Sequence, residues 1–114
     1  MGLRKLFGEM MSVLYSLVIR CDHGSVTNNS IEVQVVENNG RGEFSKFVES
    51  EGSDIKIHRY VKRNLGINTV GLDCRICGIS LRVKEKRFLS ILQKLKENQL
   101  TQVSFPAFVK VASK

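Results

Sequence analysis

The stretch Leu72-Asp73-Cys74-Arg75-Ile76-Cys77-Gly78-Ile79-Ser80-Leu81 places a C-x-x-C, followed at once by glycine, between two apolar arms. Two thiolates separated by two residues can hold one metal ion from a tight turn, and a glycine after the second lets backbone amides approach the sulfurs. Residues 68–73 and 78–83 read as the arms of a β-hairpin, with Val70 and Leu72 leading in and Ile79, Leu81 and Val83 leading out. The expectation is a zinc knuckle at a β-hairpin tip.

A structural zinc takes four Cys or His ligands, usually from two separated segments. The second segment here is Cys21-Asp22-His23-Gly24, about fifty residues upstream. Residues 12–20 are apolar, aromatic or small on both alternating faces, which suits a central strand running straight into Cys21 and His23. Residues two apart on a strand share a face, so both side chains leave that strand on one side. The whole chain then reads C-x-H … C-x-x-C, with Cys21, His23, Cys74 and Cys77 sharing one Zn²⁺ and His58 the substitute if His23 is not used. Two plainer accounts compete: Cys21 packs as a small buried hydrophobe, or Cys74 and Cys77 form a redox pair. The second fits poorly, because the low-pKa thiols of such pairs sit at helix starts and not at hairpin tips.

Outward from the knuckle, Ile31 to Glu37 alternates as a half-buried strand, and Asn39-Gly40 is a hairpin-turn signal leading to a second strand over residues 43–48. Ser53 is a helix start and Gly66 a helix stop, with Ile57, Val61 and Leu65 on one face between them, so residues 54–65 read as an amphipathic helix. The alternative is a strand through Ile55, Ile57 and Val61, set aside because Arg59 would then point into the core. Residues 84–98 carry Phe88, Ile91, Leu92 and Leu95 at helical spacing, and residues 100–111 return to a strand-like run that Pro106 confines to an edge or breaks. The sum is an α+β fold: one small domain over residues 1–114, an antiparallel sheet of about four to six strands and two helices.

The totals agree with that picture. A hydrophobic content of 42% in 114 residues is enough for a small core, which excludes a disordered chain. Three cysteines cannot complete a disulfide framework, and they suit a reducing compartment, cytoplasmic or nuclear. Residues 1–11 read as a leader to the domain, and the apolar run from Met10 to Ile19 is about half the length of a membrane span. Gly2 lacks the Ser or Thr of a myristoylation signal, and Asn28-Asn29-Ser30 matches a glycosylation acceptor only by chance without a secretion signal.

Charge carries the functional reading. Residues 1–55 are net −3, whereas residues 56–96 are net +9, so the excess lies around the knuckle. Lys56, Arg59, Lys62, Arg63, Arg75, Arg82, Lys84, Lys86 and Arg87 are the candidate phosphate contacts. A solvated face would mix acids among these bases, as residues 1–55 do. Tyr60 and Phe88 offer rings for unpaired bases, but an aromatic content of 7% favours a reader of phosphate and shape in structured RNA or duplex.

Enzyme chemistry finds no support in the motifs. No H-E-x-x-H, P-loop, G-x-S-x-G or G-x-G-x-x-G occurs, and the deaminase pattern fails at Ser25 and Asp73, where Glu and Pro belong. Four ligands on one zinc also leave no position for a reacting water. The expected function is therefore a basic, zinc-binding regulatory protein that binds nucleic acid, RNA before DNA. The rival is a zinc-stapled interaction module whose basic face docks an acidic protein, with its apolar strands available for edge pairing into a homodimer. The order C-x-H … C-x-x-C is similar to that in many unrelated small zinc proteins, among them compact viral regulators. That likeness, confined to the four candidate ligands, implies RNA binding or host antagonism, including suppression of RNA silencing.

Overall fold

The computed structural model describes residues 12–21, 28–37, 44, 46–62 and 67–113. Among them the chain forms an α+β arrangement of seven strands in two sheets, with two helices. The strands are β1 Ser12–Arg20, β2 Ser30–Glu37, β3 Lys46–Glu49, β4 Ile55–Lys62, β5 Ile67–Cys74, β6 Ser80–Lys84 and β7 Gln102–Ser104. The helices are α1 Glu85–Glu97 and α2 Phe105–Ala112.

The first sheet has the order β3-β2-β1-β7, so β1 lies inside it, as expected of a central strand. Tyr15, Leu17 and Ile19 pair with Val35, Val33 and Ile31, and all six are buried. Period-two alternation sets this register, since a slip of one residue would turn the apolar set to solvent. A bulge between Val13 and Tyr15 leaves Val13 exposed. The β2–β3 pairing is antiparallel and places Phe47 opposite Val35. Its Asn-Gly connection lies outside the described residues. On the other edge β7 runs parallel to β1, with Ile19 opposite Val103, so this sheet is mixed where one antiparallel sheet was expected.

The second sheet, β4-β5-β6, corrects the sequence reading of residues 54–65. They form a strand where a helix was expected. Ser53, read as a helix cap, is buried and accepts a hydrogen bond from the Ile55 amide at 3.0 Å, two residues on, closing a turn that leads into an extended chain. Arg59, whose inward side counted against a strand, does lie on the inner face, by its pairing opposite buried Val70. Its guanidinium sits 4.2 Å from the centre of the Phe47 ring and donates to both Glu49 carboxylate oxygens at 2.8 and 3.0 Å. The aliphatic stem covers the rim of the core while the charged head finds partners there, so no charge is buried unpaired.

α1 follows the periodic pattern: Phe88, Ile91, Leu92 and Leu95 are buried, and Leu89 joins them. α2 replaces the expected strand over residues 105–111. Ser104 caps it by accepting from the Ala107 amide at 3.2 Å, and Pro106 falls in the first turn, where a missing N–H costs nothing. The inner faces of both sheets and the apolar sides of both helices form one core. At its centre Phe88 of α1 lies 4.8 Å from Phe47 of β3 and 5.9 Å from Phe108 of α2, centroid to centroid. Among the described residues no helix is long and apolar enough to cross a membrane.

Candidate metal centre and the basic sheet face

Strand parity carries Cys21 inward. It follows Ile19 by two residues, is buried, and donates its amide to the Asn29 carbonyl at 2.8 Å. Cys74 ends β5 on the inner face, opposite Ile55. Cys77 sits in the turn between β5 and β6 and is exposed. That turn is closed by two hydrogen bonds, from the Gly78 amide to the Cys74 carbonyl and from the Cys74 amide to the Ile79 carbonyl, both 2.9 Å. Gly78 has φ +78°, a conformation that a side chain would strain.

A backbone bridge holds the two sheets in place here. The Asp54 amide donates to the Asn28 carbonyl at 2.7 Å, and the Asp54 carbonyl accepts from the Arg75 amide at 3.1 Å. The loop after β1 and the β5–β6 turn are thus tied to the same residue. The result is that the sulfurs of Cys21, Cys74 and Cys77 lie within 4.8 Å of one another, with Cys21 and Cys77 2.9 Å apart. All three are free thiols. Such a group could hold a metal ion.

The two outer members of the group differ in acidity. Burial, followed by hydrogen bonding to Cys77 and Cys74, pushes the Cys21 thiol well above its ordinary value. Cys77 is lowered, above all by the hydrogen bond from Cys21; desolvation is the next largest effect and opposes it, and the Ile79 amide and Cys74 add to the lowering. A lowered value means that the thiolate forms at lower pH. In metal-free protein, alkylation of Cys77 is therefore expected to outpace that of Cys21 by about tenfold or more and to level off at a pH below that of a free thiol, about 8.5. Peptide mass spectrometry of iodoacetamide-treated protein checks this, and equal rates at the two sites would contradict the packing of Cys21.

His23 lies outside the described residues. His58, the substitute ligand, stands apart from the sulfurs: it pairs opposite Gly71 on the outer face of the second sheet, away from Cys74, with its Nε2 3.0 Å from Asp73 Oδ2.

The nine candidate phosphate contacts separate into distinct environments. Lys56, Arg82 and Lys84 are exposed and share the outer face of β4-β5-β6 by register. Lys62 ends β4, and Arg63 lies outside the described residues. Arg59 is engaged with Phe47 and Glu49, and Arg87 of α1 donates to the Ala112 carbonyl at the end of α2, at 3.2 Å. Arg75 is exposed in the turn, 3.8 Å from Asp54 Oδ1, and Lys86 is exposed on α1. Phe88 is fully buried and offers no ring to a ligand, whereas Tyr60 is exposed on the outer face between Arg82 and His58. The grouping of His58 and Tyr60 with Gly71 escaped the sequence reading because a helix was assigned to residues 54–65. The alternation in Ile55-Lys56-Ile57-His58-Arg59-Tyr60 was the signal that could have found it. No family model matches this chain, nor does any curated protein or solved structure.

Proposed function

We propose that this chain is a zinc-stapled, basic regulatory protein that binds nucleic acid, RNA in preference to DNA, and that its metal is structural. The observation that carries the reading is the meeting of Cys21 with Cys74 and Cys77 at one end of a sheet whose outer face bears Lys56, Arg82 and Lys84. Three thiolates form a soft donor set suited to zinc, and His23 is the fourth ligand, two residues after Cys21. Zn–S bonds of about 2.3 Å place tetrahedral sulfurs about 3.8 Å apart, so Cys21 and Cys77 separate slightly on loading. A filled Cys₃His shell leaves no position for a reacting water, hence a staple and not a catalyst. Cys21 at the end of β1 and Cys74 and Cys77 at the β5–β6 turn would together hold the ion, which would tie that end of β1 to the sheet that carries the bases.

On that face Asp73 is the one acid among the described residues, and it is paired with His58. Lys56, Arg82 and Lys84 remain there for phosphates, with Lys86 exposed on α1 and Arg75 in the turn, where it also faces Asp54. For about three to five phosphate contacts on a single strand, raising salt from about 50 to 200 mM weakens binding by about 20- to 100-fold. Fluorescence anisotropy with labelled RNA and DNA oligonucleotides measures this. Absence of binding to every oligonucleotide at low salt would refute the proposed function and favour an acidic protein as partner.

A further inference from the structure

Resting on the nucleic-acid reading, we infer that the outer face of β4-β5-β6 is a stacking platform for the bases of a single strand, with Tyr60 and His58 as its rings. Register sets the rows across this face: His58, Gly71 and Arg82 form one, and Tyr60, Thr69 and Lys84 the next. Tyr60, on the edge strand β4, is 39% exposed, so its ring is in part open to a ligand. Its Cε2 lies 3.1 Å from where a Cβ on Gly71 would stand, so the ring leans across the backbone of β5 and a side chain at Gly71 would push it by a few tenths of an ångström. A glycine inside a strand recurs where something must approach the backbone closely. Here that is the Tyr60 ring.

The neighbours of the ring fix the chemistry of what covers it. The Arg82 guanidinium lies 4.7 Å from the Tyr60 centroid, and the His58 ring lies 6.2 Å away, inclined by 34°. Lys84 shares the row of Tyr60, and Lys56 stands in the row beyond His58. An apolar protein surface would leave these cations unpaired, and a carboxylate-rich one would leave the rings uncovered. Stacked bases with phosphates at their edges satisfy both, because every base has a π-face and every linkage a negative charge. A duplex hides its base faces, so the strand must be single. This departs from the expectation drawn from aromatic content, which counted rings without knowing which were exposed.

The test uses the zinc-loaded protein with a labelled uridine octamer, the matching deoxythymidine octamer and an RNA duplex. Both single strands are expected to bind more tightly than the duplex, the RNA arm and the DNA arm reporting which sugar is preferred. Tyr60→Ala is expected to weaken single-strand binding by about 5- to 150-fold, and Tyr60→Phe to stay within about twofold, since the ring and not the hydroxyl makes the stack. In unaltered protein, added octamer is expected to shift the backbone amides of His58, Tyr60, Thr69 and Arg82 in NMR spectra. Oligonucleotide binding that ignores Tyr60→Ala, or amide shifts confined to the first sheet and α1, overturns the platform and leaves the nucleic-acid reading standing. Failure of all three probes to bind overturns both.

Discussion

Chelation of the proposed zinc is expected to lower the melting temperature of the purified protein by about 15–30 °C. Zinc held at about a thousand times its dissociation constant stabilises the folded state by about 4 kcal/mol, and each kcal/mol moves the midpoint of a domain of this size by about 4–8 °C. The effect is large because the cluster draws Cys21 from the end of one sheet and Cys74 and Cys77 from the end of the other. Without the ion, the inter-sheet tie there is reduced to the Asp54 backbone bridge and core packing. Elemental analysis is expected to give one zinc per chain, falling with Cys21→Ser, Cys74→Ser, Cys77→Ser or His23→Ala. Full zinc content in Cys21→Ser, with a midpoint moved by less than about 5 °C, would break the cross-sheet site while leaving a hairpin knuckle at Cys74 and Cys77.

The second large effect concerns the core. Phe88→Ala is expected to cost about 3–5 kcal/mol, the range for emptying a buried aromatic site. Phe88 is fully buried and is the ring through which α1 meets both Phe47 of the first sheet and Phe108 of α2. Its removal opens one cavity bordered by three elements, and for a domain whose whole stability is about 5–15 kcal/mol the loss is a large share. Urea unfolding measures it as a fall in midpoint at unchanged slope. A loss below about 1.5 kcal/mol would mean that the neighbours collapse into the space and that Phe88 does not join the elements as described.

Several elements could be read in advance for a simple reason: their information is local. β1, β2 and the arms of the β5–β6 hairpin alternate with period two, and α1 carries its apolar residues at helical spacing. Two of the failures were also local, and each turned on one residue with two uses, whereas the division into two sheets and the parallel β1–β7 pairing were not local. Ser53 has an oxygen that can accept from an amide two or three positions on; it closes a turn before a strand, where a helix cap was expected. Pro106 ends strands but also starts helices, and with Ser104 as its cap it starts one. Arg59 misled differently, because its partners Phe47 and Glu49 come from another strand and another sheet.

The candidate site divides along the same line. The pairing of two thiols in one turn, the inward parity of Cys21 and the basic second half of the chain were all legible in the sequence, since each depends on residue type and on spacing within a few positions. Tertiary structure alone decided that Cys21 crosses to Cys74 and Cys77, that Arg59 and Arg87 serve internal partners, and that Tyr60 lies exposed beside Arg82 over Gly71. Those outcomes follow from how two sheets dock through a shared core. Docking sets distances between residues far apart in the chain, and whether a thiol, a cation or a ring is free to act depends on those distances.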